Sequence, residues 1–184
     1  MSKQDTTRRR IQEAFIEAYA SNTFDKLSVR QLCAGLGLSR TTFYKYYDDL
    51  YEVLGEIEDR LVSDLKAINR TFYRADFHKY KDGQPFDYFY DTLNYIKENG
   101  KYFKVLLSAG KGGQFMFKWK RIIKDDFRKK YQQEQIVIKN LELVLEMIAS
   151  AAIGAYAYWL FNLDIITVQD VCNDVLLKLS SDFI

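Results

Sequence analysis

Residues 28–47 read SVRQLCAGLGLSRTTFYKYY, and their punctuation decides the fold. Ser28 stands three residues before Gln31, the spacing of a capping box, in which the hydroxyl accepts from the third helical N–H and the Gln side chain reaches back. Behind it Val29, Leu32, Cys33 and Leu36 recur at helical spacing and hold one face. Gly37 ends this helix, because the tight turn that follows needs a residue tolerant of positive φ. Ser39 at once supplies a second N-cap. The stretch predicts two short helices joined by a glycine turn, a helix-turn-helix.

Working outward, the same period continues in both directions. Ile11, Ala14, Phe15, Ala18 and Tyr19 form one apolar stripe of a first helix, followed by a polar connection over 22–26. Asp48 and Asp49 place negative charge where a fourth helix begins, favourable against its dipole, and Leu50, Val53, Leu54, Ile57, Leu61 and Leu65 carry that helix to residue 65 or beyond. Lys81 to Pro85 reads as a turn. Further helices are expected over about 86–98, 101–108, 114–131, 132–161 and 167–181. With a single proline in the chain, the reading is all-α: an N-terminal three-helix bundle with a helix-turn-helix, followed by a larger helical ligand-binding and dimerisation domain. The boundary is expected at 1–50 and 51–184, and 184 residues accommodate that pair.

The outer face of the helix after Ser39 suggests what the small domain touches. Leu38, Phe43 and Tyr47 can face a core built from Ile11, Phe15, Leu32 and Leu36, which leaves Arg40, Thr41, Thr42, Tyr44 and Lys45 pointing outward. A major-groove reader needs a narrow helix end that offers a guanidinium to guanine and hydroxyls and methyls to thymine or phosphate. Tyr46 and the caps Ser28 and Ser39, with Arg30, suit the flanking phosphates. Charge agrees: the chain as a whole carries only +2, but residues 1–47 hold eight Lys and Arg against four Asp and Glu, so the basic excess sits in the first quarter. The alternative, a solvated helix with aromatic staples, explains exposed tyrosines beside a cation less well.

Residues from about Arg8 to Leu54 resemble the TetR/AcrR family of one-component bacterial transcription regulators. The resemblance lies in Ile11 to Phe15, Leu27 to Cys33, Leu36 to Ser39, and the signature Thr42-Phe43-Tyr44-Lys45-Tyr46-Tyr47. It implies a homodimer on a palindromic operator in double-stranded DNA, usually repressing, with release by a small-molecule effector held in the C-terminal domain. By position, Arg40 and Thr41 would read bases, Tyr44 would meet backbone or a thymine methyl, and Ser28, Arg30 and Tyr46 would bind phosphate. One departure stands out: many members have a lysine where this chain has Leu50, so that phosphate contact is absent or supplied by Lys45.

Residues 147–161, MIASAAIGAYAYWLF, are apolar nearly all round, yet shorter than the ~20 residues a bilayer span takes. Two stripes can be traced, one through Leu141, Leu145, Ile148, Ala152, Ala155 and Trp159, the other through Val144, Met147, Ala151, Gly154, Tyr158 and Phe161. If one serves the domain's own core, the other is free for a partner, and an isologous four-helix interface would use Ala151, Gly154 and Tyr158 with Val171, Val175 and Leu179 of the last helix. The competing reading is a buried monomer core. Aromatics crowd the middle of the chain, where the resemblance implies the effector. Tyr102, Phe103, Leu106, Phe115 and Trp119 are the candidates for its wall, with plain core filling as the alternative. The basic run over 118–130 reads as a solvated face rather than a second nucleic-acid patch. Ala109-Gly110-Lys111-Gly112-Gly113 lacks phosphate-loop spacing and reads as a connection or hinge.

Catalysis has little to work with. His78 is the one histidine, and no Ser or Cys lies in a nucleophile motif. Cys33 and Cys172 have no metal-ligand spacing, so no metal or cofactor is expected, and two isolated thiols fit a reducing cytoplasm. The expectation is a cytoplasmic, non-enzymatic, ligand-responsive DNA-binding regulator with no membrane partner. The rival is a co-regulator of the same fold that works mainly through a protein partner, with weak or no DNA binding of its own.

Overall fold

A computed structural model describes residues 3–74, 87–108, 111 and 113–176. Its helices are α1 (Lys3–Ser21), α2 (Val29–Leu36), α3 (Arg40–Phe43), α4 (Leu50–Ile68), α5 (Asp87–Glu98), α6 (Gly100–Leu106), α7 (Gly113–Gln133), α8 (Leu141–Leu160) and α9 (Val168–Asp170). Short 3-10 turns follow α1 and α4, and a wide π turn, Val171–Leu176, follows α9. Among the described residues there is no strand. The turn expected over 81–85, His78 and Leu179 lie outside the described residues.

Capping sets most of these boundaries. Ser28 accepts from the N–H of Gln31 at α2, Ser39 from Thr42 at α3, Asp49 from Glu52 at α4, and Thr167 forms a full capping box with Asp170 at α9. At Ser28 the box differs from the expected form, because the Gln31 side chain accepts the Ser28 hydroxyl (2.8 Å). Gly37 closes α2 at φ 63, the left-handed conformation that α2's end was expected to need.

Two boundaries depart from the sequence reading. The helix expected from about 132 begins at Leu141, because α7 runs on to Gln133 and Gln135 then turns left-handed at φ 56. The Ile136 N–H reaches back to the Tyr131 carbonyl (2.9 Å), a Schellman closure built without glycine and so without its usual sequence mark. The last helix is regular only over Val168–Asp170 before the π turn.

The boundary expected at 50/51 falls at the first residues of α4. That helix packs on α1 at one side and on α5 and α7 at the other, so one continuous core runs from Ile11, Phe15 and Phe43 through Val53, Ile57 and Leu61 to Phe103, Trp119 and Trp159. α8 lies on α7, α5 and α6 with Leu145, Ile148, Ala152, Tyr156 and Trp159 buried. Beginning at Leu141, it has 20 residues and a mean hydropathy of 1.5 over its best window, long and apolar enough by composition to cross a membrane, which corrects the shorter stretch expected. The stripe that it buries against α7 is that of a core helix.

Candidate nucleic-acid interface

The small helices are locked from below. Phe43 and Tyr47 are buried with their rings 5.9 Å apart, and Gln12 of α1 donates to the Tyr47 hydroxyl (3.1 Å). Burial pushes the Tyr47 phenol up to about 12, so it stays protonated. Arg10 donates to the carbonyl of Leu36 (3.2 Å), fastening the end of α2 to α1. Arg8 holds Glu56 of α4 with two bonds of 3.0 Å and lies over the Tyr47 ring. Sequence reasoning saw the apolar stripe of α1 and missed these three polar clamps; their only signal was that Gln12 sits inside that stripe.

On this base α3 is a single turn, closed by Tyr46 N–H to Phe43 (2.9 Å) and Tyr47 N–H to Phe43 (3.1 Å). Arg40, Thr41, Tyr44 and Lys45 are exposed around it, Tyr44 to 55%. Thr42 is half-buried and shares a 2.8 Å hydrogen bond with Ser39. Arg30 is exposed on α2, and Ser28 and Tyr46 are half-buried. Among the described residues, the side chains of Arg30, Arg40 and Lys45 make no ion pair, whereas Arg8 and Arg9 are spent on Glu56 and Glu13. Burial raises the thiol pKa of Cys33, and the nearby Arg40 charge opposes the shift. Leu50 is buried, so the first residue of α4 turns its side chain into the core and not toward the outside.

The other expected clusters divide. Tyr102, Phe103, Leu106, Phe115 and Trp119 are all buried and come together, with Phe103, Phe115 and Trp119 rings 5.5 to 5.6 Å apart and Trp119 stacked on Tyr156. On α8 the second stripe faces outward: Met147, Tyr158 and Phe161 are among the exposed large apolar side chains, Gly154 is exposed, and Val144 and Ala151 are half-buried; Leu143, outside that stripe, is exposed beside it. Val171 does not join them. It is only 3% exposed and belongs to the chain's own core. Val175 lies in that turn, and its side chain is outside the described residues. The basic run on α7 is not a free solvated face: Lys118 pairs with Glu58 and Asp59 of α4, Lys120 and Lys124 with Glu146 of α8, and Arg128 with Glu142.

The protein is thus a capped helix-turn-helix seated on a larger helical body. Residues 83–172 match the family described as "Transcriptional regulator C-terminal region" (TetR_C_8). No curated protein matches the chain. A TetR-family regulator from Syntrophomonas wolfei superposes with a TM-score of 0.71 at 14% identity, over 98% of this chain and 96% of that one. A TetR regulator from Streptococcus agalactiae gives 0.67 at 20% identity over 98% and 94%, and the dihydroxyacetone kinase operon activator DhaS gives 0.61 at 17% over 96% and 95%. Residues 83–172, just under half of the chain, thus match a transcriptional-regulator C-terminal region, and the chain as a whole has the fold of these TetR-family regulators.

Proposed function

We propose that the protein is a cytoplasmic repressor that binds a palindromic operator as a homodimer and is released by a small molecule. The observation that carries this reading is the face around α3: Arg40, Thr41, Tyr44 and Lys45 exposed, with Arg40 and Lys45 unpaired among the described residues, above a buried Phe43 and Tyr47. Arg40 and Thr41 read base edges, Tyr44 and Thr42 meet thymine methyls or backbone, and Arg30, Lys45 and Tyr46 hold phosphate. Ser28 and Ser39 act through the caps they form, since their hydroxyls are already engaged.

The outward stripe of α8 is the dimer contact. A Cβ added at Gly154 would meet nothing within 4 Å, so its own chain does not require a glycine there; a second helix crossing at Ala151 and Gly154 would. The effector acts on the ring cluster of Tyr102, Phe103, Leu106, Phe115 and Trp119, whose close packing means that a ligand enters by moving rings. Binding favours the dimer in which the fourth helices carry the two α3 turns off the roughly 34 Å spacing of successive major grooves.

A second reading, a co-regulator working through a protein partner, is favoured by buried Leu50, which removes one phosphate contact. Selection from a random DNA pool, followed by fluorescence anisotropy of wild type and Arg40→Ala at two salt concentrations, separates the two. The repressor reading expects a palindromic winner whose preference is lost in the variant. No enriched sequence, or equal binding by the variant, transfers the assignment to the co-regulator.

A further inference from the structure

We propose that the cleft between α1, α4 and the α5–α6 corner binds a small hydroxylated oxyanion, a carboxylate or phosphate, with Arg60 as its anchor. The cleft has a volume of about 430 Å³, within the range of small-molecule sites, and is lined by Arg8 and Arg9 of α1, Glu56 and Arg60 of α4, Asn99 and Tyr102. Three guanidiniums face it against two carboxylates, Asp5 and Glu56, and Glu56 is engaged by Arg8 through both oxygens.

Arg60 differs from its neighbours. Its guanidinium lies 4.9 Å from the centroid of the buried Tyr102 ring and makes no hydrogen bond or ion pair among the described residues. The ring lies against one side of the group, and its N–H groups, without a partner among the described residues, can grip a carboxylate or phosphate with two parallel bonds. Beside it, Asn99 donates its amide N–H to Tyr95 (3.1 Å) and Gln12 donates to Tyr47 (3.1 Å), so each keeps a side-chain carbonyl able to accept from a ligand hydroxyl. Cations on the larger body are engaged elsewhere: Lys120, Lys124 and Arg128 are paired with α8, and the Lys111 ammonium caps the carbonyls of Tyr19 and Ala20 at the end of α1.

An anion held here touches α1 beneath the helix-turn-helix and α4 and α6 of the larger body at once, and so ties the two together. The inference does not rest on operator binding, because it is read on the protein alone. Isothermal titration of the full chain with citrate and with glycerol 3-phosphate, at constant ionic strength in chloride, is the test. Saturable binding of one probe with one site per chain is expected, weakened at least tenfold by Arg60→Gln and unchanged by Arg121→Gln on the far side of α7. Which probe binds assigns carboxylate or phosphate. Arg60→Lys, which keeps the charge and stem but loses the fork, is expected to weaken binding several-fold and serves if Arg60→Gln does not fold. Binding of neither probe, wild-type binding by the Arg60 variants, or equal loss in Arg121→Gln overturns the site.

Discussion

Gly154→Lys separates the dimer face from the monomer core because it is expected to move their stabilities in opposite directions. Nothing of the chain lies within 4 Å of where the new Cβ would stand, so the substitution meets no clash inside the protomer. Glycine in the middle of α8 costs about 1 kcal/mol of helix propensity, most of which lysine returns, so the folded protomer gains about 0.7 kcal/mol. At a helix crossing the same ammonium loses its water without a partner. Such a penalty is several kcal/mol, and each 1.4 kcal/mol is about tenfold, so the dimer constant weakens at least about 100-fold. Sedimentation velocity across a concentration series reads the dimer. Urea unfolding of Gly154→Lys in a Tyr158→Asp background, against Tyr158→Asp alone, reads the protomer. A dimer of wild-type strength, or a protomer that loses stability, refutes the assignment of this face.

Three further outcomes test the fold. Glu58 is buried, 4% exposed at its side chain, and its partner Lys118 lies at 3.0 Å, so Lys118→Met is expected to cost about 3 kcal/mol; adding Glu58→Gln recovers at least half of that in chemical denaturation, and a double variant no better than the single contradicts the pairing. Burial raises the Tyr47 phenol from 10.0 to about 12, so its contribution is full below pH 10 and is lost between pH 10 and 12, about 1.4 kcal/mol per unit. Tyr47→Phe flattens that alkaline slope, and superimposable pH profiles for wild type and variant count against it. Gln135 sits at φ 56 and Gly37 at φ 63, so Gln135→Gly raises stability and Gly37→Ala lowers it, each by about 1 kcal/mol in thermal melts; shifts of the same sign would refute the conformational argument.

The small domain was legible because its signals are local. A hydroxyl three residues before the N–H it caps, a glycine at the turn and an apolar period of 3.6 are each written within a few positions, and Gly37, Ser39 and the accepting half of the Ser28 box do in the structure what that spacing implies. The end of α7 was not legible for the converse reason: the left-handed residue is Gln135, and the closure by Ile136 depends on the Tyr131 carbonyl, which no short motif marks. Val171 shows a third limit: an apolar helical period does not say which face meets the chain's own core, and a side chain expected at a partner's surface is buried within the protomer.

Charge on α7 was misread because its partners are distant in sequence. Lys118 finds Glu58 on α4, and Lys120, Lys124 and Arg128 find Glu146 and Glu142 on α8, pairings that exist only once three helices are side by side. The cations near the helix-turn-helix divide by the same test. Those within reach of an acid, Arg8 and Arg9, are spent on holding α1 in place, while Arg30, Arg40 and Lys45 have none within reach among the described residues. A net charge of only +2 therefore does not weaken the case for a nucleic-acid face, because the acids nearest the basic first quarter, Glu13 and Glu56, are engaged in ion pairs with Arg9 and Arg8. What a phosphate would meet is the local surplus around α3, and that surplus is set by which cations the folded chain leaves unpaired.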